Sequence, residues 1–127
     1  MDVQKQVDYW TTGSQEDLAA AQSLLEAGHY RHALFFAHLA VEKSLKAHVT
    51  RQMLAMPPKS DDLARLALLA ELDLSAEQKG WLRELNMFQV AGLYPDTAQA
   101  VIDRPATEPR VSQAREFCRK LTAHLSR

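Results

Sequence analysis

The distribution of proline constrains the fold of this chain more than any other sequence feature. All five prolines lie after residue 56, so the chain up to that point can form long helices without interruption. Apolar side chains recur at helical spacing up to Gly28, a typical stop signal, which predicts a helix from about Val3 to Ala27. The next apolar run predicts a second helix from about Tyr30 to Leu54, which ends before Pro57 and Pro58.

Two shorter helices are predicted from their capping residues. Ser60, Asp61 and Asp62 precede an apolar run and can accept hydrogen bonds from the free N–H groups at a helix start. Ser75 and Gln78 have the spacing of a capping box, in which each side chain bonds the backbone of the other. The sequence therefore predicts a short third helix and a longer fourth one.

The remaining segment predicts a connection and a last helix. The stretch YPDTAQAVIDRPATEP contains turn residues and no sustained period, so we expect a mostly extended connection, with one helical turn allowed near Ala98. Thr107 is expected to cap the final helix. Because no repeat and no alternating strand pattern occurs, the prediction is an all-α, up-and-down bundle of four to five helices forming one domain over residues 1–127.

Composition narrows the classes of function. The net charge is -1, which gives no overall attraction to nucleic acid or anionic lipid. The single cysteine, Cys118, cannot form an internal disulfide, and no basic-then-apolar leader precedes Tyr9, so we expect a cytoplasmic protein. No apolar run approaches the roughly 20 residues of a membrane helix. Glycine is scarce and no phosphate-cradling loop occurs, and His29 and His32 lack further ligands nearby, so neither a cofactor nor a metal is expected.

The predicted second helix is apolar on two sides. One broad arc carries small and apolar residues and is expected to form the bundle core. The opposite arc is mostly polar but has Phe35 and Leu39 in its middle. Its polar members are Arg31, His32, His38, Glu42, Lys43 and Lys46.

Two large apolar side chains in a polar arc need a cover in a soluble bundle. A homodimer interface that pairs Phe35 and Leu39 across a two-fold axis is the favoured interpretation, with Arg31, His38 and Glu42 at its rim. The connection near the chain's end could instead fold over them, or they could stay exposed.

Several side chains are candidates for chemistry or ligand binding. His38 and Glu42 are one helical turn apart, which would suit a proton-transfer pair, but the favoured interpretation is two solvated neighbours. Glu42 and Lys46 favour a surface ion pair. Lys43 and Lys46 belong to a weak basic stretch that could receive a phosphate, and Tyr94 could stack on a base or pack the connection onto the bundle.

The chain resembles the HEPN (higher eukaryotes and prokaryotes nucleotide-binding) domain family, in its Tyr-Pro-Asp-containing prokaryotic type. The resemblance is carried by YRHALFFAHLAVEKSLKA, by PPKSDDLARLA and by LNMFQVAGLYPD. It implies a helical bundle that usually dimerises. Many members are metal-independent ribonucleases, often toxins paired with a small nucleotidyltransferase-like antitoxin, and others are thought to bind nucleotides or to serve as structural modules.

The resemblance implies that ribonuclease members carry an Arg followed, after four to six residues, by a His. In this chain Asp61 stands where the Pro-Pro-Lys segment commonly has His, and Leu93 stands where Arg often precedes Tyr-Pro-Asp. Both departures argue against RNA cleavage.

Two pairs nevertheless keep that spacing, namely Arg119 with His124 and Arg31 with His38. Such pairs also arise by chance in a chain with 15 basic residues and 5 histidines. The favoured function is therefore a non-catalytic or catalytically lapsed dimer that binds a protein partner, such as a small nucleotidyltransferase-like protein, or a nucleotide. The alternative is a metal-independent ribonuclease or toxin that uses one of these pairs, with Glu42 assisting His38.

Overall fold

The structure is a computed structural model that describes residues 1–93 and 102–125. The helices are α1 (Val3–Glu26), α2 (Tyr30–Met53), α3 (Leu63–Leu69), α4 (Ala76–Leu93) and α5 (Arg104–Leu125). The described residues contain no strand, which confirms the prediction of an all-α bundle. The helical turn expected near Ala98 lies outside the described residues.

The reversal between α1 and α2 depends on Gly28. This glycine has a φ of 82°, a left-handed conformation that costs other residues more than glycine. The turn lets the N–H of His29 donate to the carbonyl of Leu24 at 2.8 Å and the N–H of Gly28 donate to the carbonyl of Leu25 at 3.1 Å. Both bonds satisfy carbonyls at the end of α1, so the chain can turn back at once as α2.

The predicted caps of α3 and α4 are confirmed. The Asp62 carboxylate accepts from the N–H of Arg65 at 3.3 Å and begins α3. At the start of α4, the N–H of Ser75 donates to Gln78 Oε1 at 2.9 Å, and the N–H of Gln78 donates to Ser75 Oγ at 3.1 Å. These reciprocal bonds satisfy N–H groups that the helix itself leaves unpaired.

The predicted start of the last helix is wrong. The helix begins at Arg104, where the Asp103 carboxylate accepts from the N–H of Ala106 at 3.0 Å. Thr107 lies inside α5, and its hydroxyl donates to the Asp103 carbonyl at 2.7 Å. The prediction failed because turn residues such as Asp103 and Pro105 favour a connection, whereas an aspartate also caps a helix and a proline fits its first turn.

Helix α2 is the centre of the bundle and contacts α1, α3, α4 and α5. Its contact with α1 is close, as its small residues predict. Ala37 and Ala40 are completely buried there, and the hydroxyl of Ser14 in α1 donates to the Ala40 carbonyl at 2.7 Å. Small side chains on α2 therefore let a polar group of α1 reach its backbone.

The second side of α2 is more covered than the sequence suggests. His38 is completely buried and Lys46 is nearly so, although the sequence predicts that each forms a solvated pair with Glu42. Phe35 and Leu39 are half-buried. The expectation was wrong for His38 and Lys46 because a helix at the centre of a bundle is enclosed on more than one side. None of the described helices combines the length and hydropathy that crossing a bilayer requires.

Replacing Ala40 with leucine tests the close approach of α1 and α2. We expect A40L to lower the free energy of unfolding by about 1–3 kcal/mol, because the larger side chain has no room against α1. Urea denaturation measures the change. The matched control is A19L on the exposed side of α1, which should change stability by less than about 0.5 kcal/mol. Equal effects at the two positions would contradict the close contact.

Candidate functional site

His38 lies at the centre of the candidate site. Its ring is completely buried, and its Nε2 lies 2.9 Å from Oδ1 of Asn86 in α4. The same Asn86 oxygen accepts from the N–H of Leu63 at 3.3 Å, and Asn86 Nδ2 donates to Asp62 Oδ1 at 3.3 Å. One imidazole and one amide therefore connect α2 and α4 to the start of α3.

These bonds fix the state of the His38 ring. The N–H of Leu63 requires the carbonyl oxygen of Asn86 to face it, so His38 Nε2 is the protonated donor and Nδ1 carries the lone pair. Burial lowers the pKa of His38, although the hydrogen bond to Asn86, the charges of Glu42 and Asp61, and the backbone of Asp61 act in the opposite direction. The ring is therefore neutral near pH 7.

The neighbouring charges on α2 are paired with each other. Lys46 Nζ donates to Glu42 Oε2 at 3.0 Å and lies 5.3 Å from the centre of the Trp10 ring. Glu42 Oε1 lies 3.8 Å from His38 Nδ1, too far for a hydrogen bond. The pair is largely buried and not, as predicted, a surface ion pair. Oε2 of the carboxylate thus bonds the lysine, while Oε1 is the oxygen nearest His38 Nδ1.

Lys43 is also engaged within the chain. Its Nζ lies 2.9 Å from Asp17 Oδ2 in α1. The aliphatic part of Lys43 crosses α1 at Gly13, where an added Cβ would lie 3.1 Å from Lys43 Cδ. Both lysines expected to bind a ligand thus form internal ion pairs, while the third predicted ligand residue, Tyr94, lies outside the described residues.

The predicted interface residues remain partly open. Phe35 and Leu39 are half-buried, and neither is among the partly buried apolar residues that pack against the main core. The Phe35 ring meets the Phe36 ring edge-on, with the centres 5.8 Å apart. Arg31 is exposed near the start of the same helix. These residues leave an apolar face on α2 that the described part of the chain does not complete.

The pair Arg119 and His124 stands apart from this site. Both side chains are exposed on α5, and the Arg119 guanidinium donates to the Glu116 carboxylate at 2.6 and 3.0 Å. His124 borders a surface groove of about 580 Å³ that His48 and Lys120 also line. The structure therefore does not bring this pair together with His38 and Glu42.

The HEPN domain profile matches residues 7–125. The chain belongs to the HEPN domain family. A crystal structure of TT1696 from Thermus thermophilus is similar, with a TM-score of 0.79, 21% identity, and coverage of 93% of this chain and 97% of that one. ST0689, an archaeal HEPN homologue, has a TM-score of 0.74, 16% identity, and coverage of 93% and 96% respectively. At these identities the likeness concerns the fold. No curated protein matches the chain significantly.

The two HEPN positions that depart from the ribonuclease pattern can now be located. Asp61 is exposed just before α3, and its charge acts on the His38 ring. Leu93 is the last residue of α4. Neither residue is the histidine or the arginine of that pattern.

Burial shifts the pKa of two further titratable groups in this HEPN domain. Burial raises the pKa of the Cys118 thiol to about 11, so it stays protonated at neutral pH. Burial also lowers the pKa of His48, whose Nε2 lies 2.8 Å from the carbonyl of Leu121. In the described part of the chain, no cluster of three or more His, Cys, Asp and Glu side chains is arranged to hold a metal ion.

Sequence reasoning missed Asn86, which organises the site. It is the single asparagine of the chain, and it follows Leu82 and Leu85, which are both buried. Asn86 lies one position after Leu85 and four after Leu82. A polar residue on the same side as two inward-facing leucines could have indicated a buried hydrogen-bond partner. The identity of that partner could not be read, because His38 lies 48 residues away.

Removing the Asn86 side chain tests its role. We expect N86A to lower the free energy of unfolding by about 1–3 kcal/mol. Buried His38 would lose its acceptor, and the backbone N–H of Leu63 would lose its bond to the Asn86 oxygen. The neighbouring control M87A removes an exposed side chain and should have little effect. Chemical denaturation of both variants gives the comparison, and an N86A protein as stable as M87A would show that the network contributes nothing.

Proposed function

We propose that this HEPN domain is a non-catalytic, homodimeric binding module whose ligand is a protein partner. The observation that carries the proposal is the state of His38. Its donor nitrogen is bound to Asn86, its ring is completely buried, and its pKa is lowered by burial. A histidine in that state does not reach a substrate, and so it cannot move protons to or from one.

The homodimer is supported by the half-buried pair on α2. Phe35 and Leu39 lie one helical turn apart, outside the core cluster, with the exposed Arg31 one turn before Phe35. An apolar centre with a charged rim is the usual composition of a subunit interface. HEPN domains commonly dimerise, which agrees with this use of the face.

A protein partner is better supported than a nucleotide. The two lysines that could receive a phosphate are held by Asp17 and Glu42. The described surface also exposes large apolar side chains on several elements, which suits protein contact more than phosphate binding. They include Leu54, Leu68 and Met87. A small nucleotidyltransferase-like protein is the partner that the HEPN resemblance suggests.

Charge placed on the α2 face tests the dimer. We expect F35E to shift the protein from dimer to monomer in sedimentation, because a buried carboxylate at a two-fold axis faces its own counterpart. Helical content by circular dichroism should stay unchanged. The matched control is Y9E, which places the same charge at an exposed aromatic position on α1 and should leave the dimer intact. A wild-type protein that sediments as a monomer would contradict the proposal.

Ribonuclease activity is the alternative, and the exposed pair Arg119 and His124 gives it a direct test. Purified protein should be incubated with single-stranded and structured RNA in the presence of a metal chelator. We expect no cleavage above that of a heat-inactivated sample. The variants R119A and H124A alter exposed side chains, so neither should unfold the bundle. Cleavage by the wild type that either variant abolishes would establish the alternative instead.

A further inference from the structure

The His38 ring is the point where three elements are tied together. It is on α2, its bonding partner Asn86 is on α4, and Asn86 in turn bonds Leu63 and Asp62 at the start of α3. Helix α3 has seven residues, too few to be helical alone. Two kinds of contact therefore hold α3 in place, the burial of Leu63 and Leu66 in the core and the bonds that pass through Asn86 to His38.

The second nitrogen of the ring, Nδ1, is buried and has no comparable hydrogen bond among the described residues. An unprotonated nitrogen tolerates this situation, because its lone pair carries no charge. A proton on Nδ1 would create a buried, charged donor whose nearest carboxylate oxygen, Glu42 Oε1, lies 3.8 Å away, beyond hydrogen-bonding distance, which is much less favourable.

The charges that face the ring cannot fully compensate such a proton. On α2, Glu42 already accepts from Lys46, which is nearly buried against Trp10 of α1. The other oxygen of Glu42, Oε1, is the one nearest His38 Nδ1, so one carboxylate would have to balance the charges of both Lys46 and a protonated His38. Before α3, Asp61 is exposed, so water weakens the attraction of its carboxylate, and its backbone favours the protonated ring less than burial disfavours it.

The remaining nearby carboxylate is also occupied. Asp62 Oδ1 accepts from Asn86 and from the N–H of Arg65. On α4, Asn86 is neutral and offers His38 Nε2 only its carbonyl oxygen. If the ring were protonated, the two buried cations His38 and Lys46 would therefore share one closely placed carboxylate.

We propose that His38 is a proton-sensitive latch: the neutral ring holds α3 and α4 against α2, and its protonation on Nδ1 releases α3. Release would expose Leu63 and Leu66, which are completely buried in the closed form. The latch acts within one chain, so it does not depend on the dimer or on any partner. It adds a response to acid that the proposed binding function does not require.

The direction of the response follows from the burial of the ring. With α3 released, His38 is exposed to solvent and has its ordinary pKa of 6.5, whereas burial lowers that pKa in the closed form. The open form therefore binds the proton more tightly. The stabilisation by the neutral ring is complete above pH 6.5 and is lost as the pH falls below that value toward the folded pKa.

Hydrogen exchange of the α3 amides, compared with that of the α1 amides and corrected for intrinsic rates, measures the latch. Between about pH 7.5 and about pH 5 we expect the relative protection of α3 in the wild type to fall by roughly tenfold, the factor associated with a buried donor left without an acceptor. H38Q keeps a donor for Asn86 but cannot titrate in this range. Its α3 protection should therefore stay constant. H48Q removes the other histidine whose pKa burial lowers, and it should respond like the wild type.

A second variant makes the test specific to the charge arrangement. K46M keeps an apolar side chain of similar length but removes the ammonium, which leaves Glu42 free to accept from a protonated His38. We expect K46M to retain α3 protection at about pH 5, because the extra proton then has a partner. The proposal would be overturned if the α3 protection of the wild type did not change between about pH 7.5 and about pH 5. It would also be overturned if H38Q and K46M both lost α3 protection to the same extent.

Discussion

The enclosure of α2 by the other four helices determines most of what this structure can do. A helix in that position must bury polar as well as apolar side chains, and buried polar groups need partners. His38 therefore bonds Asn86, Lys46 pairs with Glu42, and the hydroxyl of Thr50 donates to the Lys46 carbonyl at 2.8 Å. The groups that look reactive in the sequence are the polar contacts that a central helix requires.

Local chemistry predicted the helices well, because each signal acts within a few residues. The left-handed Gly28 and the reciprocal caps of Ser75 and Gln78 needed no knowledge of tertiary structure. Helical periodicity also placed His38 and Phe35 on one side of α2. It could not show whether another helix covers that side, and the bond between His38 and Asn86 joins residues too far apart in sequence for any local pattern.

Membership of the HEPN family establishes the fold and leaves the chemistry to particular side chains. The ribonuclease pattern needs an accessible histidine and a cation beside it. Here His38 is buried and neutral, and Asp61 and Leu93 stand at the two departing positions. The described surface has apolar area on α2 around Phe35 and on other helices at Leu68 and Met87. A binding role makes use of this surface, whereas a catalytic role leaves it unexplained.

The protonation state of the His38 ring is the most direct test of this account. Nitrogen chemical shifts of the imidazole, measured by NMR near pH 7.5 and assigned by comparison with a His38 variant, report which ring nitrogen carries a proton. We expect a neutral ring protonated on Nε2, with shifts that do not change when RNA is added. A doubly protonated ring, a proton on Nδ1, or a shift that follows added RNA would show that His38 is an accessible, chemically active group and would contradict the structure described above.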